Sequence, residues 1–314
     1  MAHVGVAEVL YERNELDAAL GQAMRSVELC RQIGYAQWLV TSLTTLACIR
    51  QARGDQAGAL EAIGEAERLV PSTVVDIFFP VEVQRARLLL AQGKVEDAAR
   101  WCAERGLSVE DEPSYLRERE HLVLARVLLA QGKVDQALRL LRWHLEEAQA
   151  QRRRGSEIEI LMLQALALWE RDAKERAVST LTQALTLAEP ESYVRIFIDE
   201  GPEMALLLSE VLEAQQRGRL HPPVPAHYLR KLLTALEQAA SSATLPTAEL
   251  PEPLSERELE VLILIEAGKS NRRIAQELFI TAGTVNTHIR SIYRKLNAHS
   301  RTQALVRARE LNLL

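Results

Sequence analysis

Leu89–Ala99 reads LLAQGKVEDAA, and 39 residues further on Leu128–Leu138 reads LLAQGKVDQAL. A near-copy at a fixed spacing marks a repeat protein, and weaker copies extend it in both directions. LYERNELDAAL begins at Leu10, IRQARGDQAGAL at Ile49 and LWERDAKERAV at Leu168. The alanines beyond the turns, Ala19, Ala59, Ala98, Ala137 and Ala177, are spaced by 40, 39, 39 and 40 residues. Each copy runs into a turn at Asn14, Gly54, Gly93, Gly132 or Asp172 and resumes a few residues later. Gly and Asn accept the left-handed conformation that ends a helix, so each copy predicts two helices joined by a tight turn. The alanine lets those two helices approach closely, since a larger side chain would hold them apart.

Five such helix pairs over residues 1–190 would stack into a right-handed solenoid with a concave wall, burying a core that no single pair could bury. The spacing exceeds the tetratricopeptide period of about 34, so the units are TPR-like with longer helices or loops. Trp38, Trp101, Trp143 and Trp169 fall among these helices. Packing between pairs is expected of them, with a binding wall on the concave face as the alternative. Beyond Glu189 the period fades. Residues 191–240 read as helix, a break near Gly201–Pro202, more helix, then a last helix from about Pro225 to Ala240 that caps the solenoid. Residues 241–253, SSATLPTAELPEP, have the composition of a linker.

The whole chain has 314 residues, 47% hydrophobic and 26% charged, with few Gly and Pro. That composition points to an all-α protein large enough for several domains. No apolar run is long enough for a membrane span and the first residues carry no cleavage pattern, so a cytoplasmic location and no membrane partner are expected. Cys30, Cys48 and Cys102 are scattered and read as buried thiols. Residues 254–314 carry ten Lys and Arg against six Asp and Glu, a net +4, whereas residues 1–253 carry −9. A basic end on an acidic body points to a polyanionic partner there.

Residues 254–314 predict four helices. Leu254-Ser255-Glu256-Arg257-Glu258-Leu259 is a capping box, Ser255 capping and Glu258 reaching back, with Leu254 stapled to Leu259. Its helix runs to Ala267 and stops at Gly268, with Leu259, Leu262, Ile263 and Ile265 as its apolar positions. A second spans Asn271 to Leu278, and Phe279 with Ile280 turns into a third, Ala282 to Leu296, capped by Thr281 and ended by Asn297. A fourth begins at Ser300 and runs to about Leu311. The second and third form a helix-turn-helix unit. Val285, Ile289, Ile292 and Leu296 make a buried stripe on the third helix. The opposite face carries Gly283, Asn286, Thr287, Arg290 and Arg294, and Ile280–Arg301 contains no acidic residue at all. A helix that is short and polar first, then cationic, suits the major groove of double-stranded DNA. Arg290 would reach a guanine edge or a phosphate; Arg294, Lys295 and Arg301 would meet backbone phosphates. The helix N termini at Asn271 and Thr284 would add N–H donors to phosphates.

LSERELEVL, GKSNRRIAQELFIT and TVNTHIRSIYRKLNAHSRTQAL together resemble the C-terminal DNA-binding domain of LuxR-type regulators across about sixty residues. The resemblance implies recognition by the third helix, with Asn286, Thr287 and Arg290 at the main groove-contacting positions, and a homodimer on DNA through the last helix. Family members commonly carry lysine after the Thr-Val pair; this chain has Asn286, so base preference does not carry over. The solenoid, FIDEGPEMALLL and YLRKLLTAL resemble the C-terminal part of the large ATP-binding, maltose-activator-like LuxR regulators. That resemblance implies a sensor that meets an inducer or a protein partner on its repeats, and RNA polymerase as a further partner. No G-x-x-x-x-G-K-[ST] loop occurs here, so nothing in the sequence supports ATP binding and no cofactor is expected. A fragment of a longer regulator is favoured over a stand-alone form that senses through its repeats, because nothing caps the first helix.

The seven histidines fall in no metal-ligand spacing, and no nucleophile elbow or glycine-rich cofactor loop is present, so no enzyme is expected. His288 reads as a packing or phosphate-bonding group, and Glu110-Asp111-Glu112 as a solvated loop between repeats. The remaining alternative to a DNA-binding regulator is a repeat scaffold whose last four helices bind protein.

Overall fold

The computed structural model describes residues 2–70, 80–112, 114–220, 223–243, 254–266, 269, 271–278, 280–296, 298 and 301–310. Every regular element among the described residues is a helix. The chain divides into two compact units, Met1–Ala243 and Thr244–Leu314.

The first unit contains five packed pairs: α1 (Ala2–Glu12) on α2 (Leu16–Ile33), α3 (Ala36–Ala52) on α4 (Gln56–Leu69), α5 (Val81–Ala91) on α6 (Val95–Glu104), α7 (Glu118–Ala130) on α8 (Val134–Ala150) and α9 (Arg154–Glu170) on α10 (Lys174–Ala188). The turns work as their residue types demand. Asn14, Gly54, Gly93, Gly132 and Asp172 all take positive φ, between 62° and 83°. The residue after each then donates its N–H back across the helix end: Glu15 to Leu10, Asp55 to Arg50, Lys94 to Leu89, Lys133 to Leu128 and Ala173 to Leu168, each at 2.8–2.9 Å. These bonds satisfy carbonyls that a helix end otherwise leaves open. The five alanines beyond the turns are all 0% exposed, where only a methyl group separates the paired helices.

After α10 the chain forms α11 (Arg195–Ile198), α12 (Pro202–Gln216) and α13 (Ala226–Ala243). The break between α11 and α12 falls on Gly201, at φ +81°. Helix α13 runs three residues past the expected end at Ala240, into the stretch read as linker; residues 244–253 lie outside the described residues. Trp38, Trp101 and Trp169 pack against the apolar core as expected. Trp143 instead lines a cavity of about 430 Å³ with Glu110, Glu112, Glu146 and Glu147. Asp111, read from sequence as solvated, is structural: it accepts from the Ser108 N–H, and the buried His121 Nε2 lies 3.1 Å from its carboxylate. His121 in turn shares a 2.9 Å hydrogen bond with buried His144. Burial, with the neighbouring His121 ring, pushes His144 down to about 4, so it stays neutral.

The unit also closes on itself. The Val194 N–H donates to Glu12 O at 2.8 Å, Tyr11 Oη donates to Asp199, and Arg195 reaches Asn14 Oδ1 at 3.2 Å. Helix α11 thereby meets α1, almost two hundred residues before it. Charged side chains from several first helices are drawn into this closure. Arg126 of α7 grips Glu159 of α9 at 2.8 Å and Glu200, just past α11, at 2.6 Å, and Arg87 of α5 lies 3.4 Å from Glu159. Burial alone would raise the Glu159 carboxyl, but Arg87 and Arg126 hold it at about 2. Glu12 lacks so close a cation. Burial and the Asp199 charge raise it to about 7.

Three outcomes test this account. Gly132→Ala meets no atom within 4 Å, so its cost is the left-handed backbone alone, about 1 kcal/mol in urea unfolding. Ala137→Leu should cost about 1–3 kcal/mol by forcing α7 and α8 apart. Because the Glu12 pKa is raised above its unfolded value, the folded state holds that proton more tightly, and the stability it contributes is lost as pH rises from about 4.5 through 7. Glu12→Gln should match wild type at pH 4.5 and exceed it by about 3 kcal/mol at pH 8; parallel pH profiles of the two would refute the assignment.

Candidate nucleic-acid interface

The second unit is built from α14 (Glu256–Glu266), α15 (Asn271–Glu277), α16 (Ala282–Leu296) and α17 (Arg301–Glu310). Its core holds Val261, Leu262, Ile265, Ile274, Ala275, Val285, Ile292, Leu296, Ala298, Ala304 and Ala308, with Leu254, Leu259 and Ile289 packed against it. Ile263, expected on the apolar face, is 49% exposed. The inward face of α14 runs instead through Val261, Leu262 and Ile265. The expected stop at Gly268, the turn at Phe279, the break at Asn297 and the cap at Ser300 lie outside the described residues.

The two predicted caps that fall within the described residues form. The Ser255 N–H donates to Glu258 Oε2 at 2.8 Å and the Glu258 N–H to Ser255 Oγ at 3.3 Å. The Thr284 N–H donates to Thr281 Oγ1 at 3.1 Å, which starts α16. Helix α16 seats Val285, Ile292 and Leu296 in the core, and Thr284, Asn286, Thr287, Arg290 and Arg294 are exposed. This exposed set recurs every three or four residues, so it forms one face.

Three of the eight residues singled out from sequence behave differently. Lys295, expected on a phosphate, turns inward: its Nζ donates to Glu258 Oε2 at 2.8 Å, and the two side chains are 8% and 7% exposed. Arg301, likewise expected on a phosphate, donates from Nη2 to the carbonyls of Ile265 and Lys269 and from Nη1 to Asn271 Oδ1. The Thr284 N–H, expected to face a phosphate, is occupied by its own cap. The reason is common to all three. Each finds a partner inside the unit: Lys295 a buried carboxylate, Arg301 two backbone carbonyls and Thr284 the Thr281 hydroxyl. Asn271 is half-buried and donates from Nδ2 to Asn286 Oδ1 at 2.9 Å. Sequence reasoning passed over Arg273, an exposed cation on α15 with no periodic pattern to single it out.

The Glu258–Lys295 pair clamps α14 to α16. Burial would raise the Glu258 carboxyl, but Lys295, Ser291 and Ser255 together hold it at about 2. Its folded pKa is depressed, so the stability it contributes is present above about 4.5 and lost as pH falls towards 2. Lys295→Met, which strands the buried carboxylate, should cost this unit about 3 kcal/mol or more in denaturant unfolding. Arg290→Ala, on the exposed face, should stay within about 0.5 kcal/mol of wild type. Equal effects would mean that the inward and outward assignments are wrong.

Known proteins share both units. Residues 252–308 match the family described as bacterial regulatory proteins, luxR family, and residues 1–215 match the MalT-like TPR region. The chain is 33% identical over 165 residues to the HTH-type transcriptional regulator MalT of Klebsiella pneumoniae and 32% identical over 164 residues to that of Yersinia pestis. Each alignment covers 48% of this chain but only 18% of the relative. Among the described residues no helix is long and apolar enough to cross a membrane and no group of side chains could hold a metal ion. Since the match to the MalT-like TPR region extends over more than half of its residues, the chain belongs to the family with that region, here joined to a C-terminal luxR-family regulatory module.

Proposed function

We propose that the chain binds double-stranded DNA with sequence preference through α16 and regulates transcription, with the repeat unit as its sensor or docking surface. The carrying observation is the α16 face: Thr284, Asn286, Thr287, Arg290 and Arg294 exposed together, with no carboxylate among them. Short side chains at the N-terminal end let the backbone approach base edges, and Arg290, one turn beyond Asn286, reaches a guanine edge or a phosphate. Arg294, a further turn on, suits a phosphate. With Lys295 and Arg301 engaged inside the unit, fewer cations than the sequence suggested would release counterions. The relatives named HTH-type transcriptional regulators support the same reading. A homodimer through α17, a small-molecule inducer or protein partner on the repeats, and RNA polymerase are the partners such a regulator would require.

Selection of duplexes from a random pool by the whole chain tests this directly. Enrichment of one sequence, with affinity falling steeply as salt rises, is the expected result. Arg290→Ala should cost about 1–3 kcal/mol on the selected site and less on other sequences if it reads a base, or the same on all if it holds a phosphate. No enrichment at low salt, from a preparation that binds no duplex, would leave the protein-binding scaffold as the better reading.

A further inference from the structure

Asn286 stands where groove contact is proposed, and its amide is not free to present either end. Arg301 has only donors to offer, and its Nη1 lies 3.4 Å from Asn271 Oδ1 while Nη2 is anchored on the Ile265 and Lys269 carbonyls. The oxygen of Asn271 must therefore face Arg301, which turns its Nδ2 towards Asn286. That Nδ2 donates to Asn286 Oδ1 at 2.9 Å. The oxygen of Asn286 is thus committed to Asn271, and its own Nδ2, on an exposed residue, points the other way. Three side chains on three helices form a one-way relay whose direction follows from arginine being unable to accept.

From this geometry we infer that Asn286 is a specificity-determining residue that shows DNA an N–H donor, with Asn271 and Arg301 as its positioning residues. The inference rests on the proposal that α16 enters the major groove. An amide free to turn can bond adenine with both ends, taking N6–H and giving to N7. A relay-held amide keeps its oxygen turned to Asn271 and its Nδ2 towards the groove, and so favours bases whose major-groove edge accepts. Guanine offers N7 and O6, thymine O4 and adenine N7 beside its N6 donor, whereas cytosine shows only the N4 donor. The contacted position should prefer guanine or thymine over cytosine by about fivefold or more, the lower end of what one good base contact discriminates.

Relative affinities for duplexes varied one position at a time test this with the whole chain. Asn286→Ala identifies the position, because preference should be lost there and nowhere else. Asn271→Asp reverses the relay. A carboxylate accepts from both neighbours, so Asn286 must turn its Nδ2 inward and show its oxygen to the groove. Preference at that position should then move towards the donor edges of adenine or cytosine, on top of a uniform weakening from the added charge. Asn271→Ala, which adds no charge and leaves Asn286 free to turn, should flatten the preference instead. In the free protein, side-chain amide exchange by NMR should show Asn271 Nδ2 protected and Asn286 Nδ2 exposed. Unchanged preference in both Asn271 variants, or loss of no position in Asn286→Ala, overturns the inference while leaving DNA binding intact. Failure of the wild-type chain to discriminate any sequence, with the amide protection nevertheless present, overturns the groove reading and the specificity role with it.

Discussion

The close approach of paired helices at five fully buried alanines sets the terms for the first unit. A methyl group at the crossing lets the backbones come near enough for a three-residue turn to join them, and one turn residue must then take a left-handed conformation. Asn14 and Asp172 accept it with a β-carbon, the three glycines without one. The same turn and crossing recur at near-identical spacing in all five pairs. Helix α11 also meets α1, and charged side chains of α5, α7 and α9 crowd together with Glu200 just past α11. The ion pairs of Arg87 and Arg126 with Glu159 and Glu200 follow from that crowding. So does the raised Glu12, which is buried beside Asp199.

The second unit is small, and one interaction there does two tasks. Glu258 completes the cap of α14 and also holds Lys295 of α16. A buried ion pair contributes little net stability compared with apolar packing, but breaking one partner is costly. Its consequence is geometrical: α16 is fixed in rotation, with Val285, Ile292 and Leu296 in the core, and Arg290 is delivered to the surface. Arg301 acts similarly on the other side, tying α17 to the end of α14 and to Asn271. The unit thus uses two of its cations to aim the remaining ones.

Much of this was legible from local chemistry. The LLAQGKV copies, the turn glycines and the spaced alanines reported hairpins, because helix ends and close crossings are decided by the residues that form them. Ser255 with Glu258, Thr281 with Thr284, and the Val285–Leu296 stripe were readable for the same reason. Ile263 was misplaced because it sits in an unbroken apolar run, Val261 to Ile265, within which periodicity cannot choose a face. Asp111 was misplaced because its partner His121 lies on α7, ten residues further along the chain.

By itself, then, the amino-acid sequence determined an all-helical chain, its repeat register, and a C-terminal helix with an acid-free polar face. Those properties depend on neighbours within a few residues. Only the tertiary structure decided that α11 returns to α1, that Lys295 and Arg301 face inward, and that Asn271 orients Asn286. A charged side chain takes whichever partner is nearest in space, and Glu258 lies 37 residues from Lys295 in the chain but 2.8 Å away in the fold.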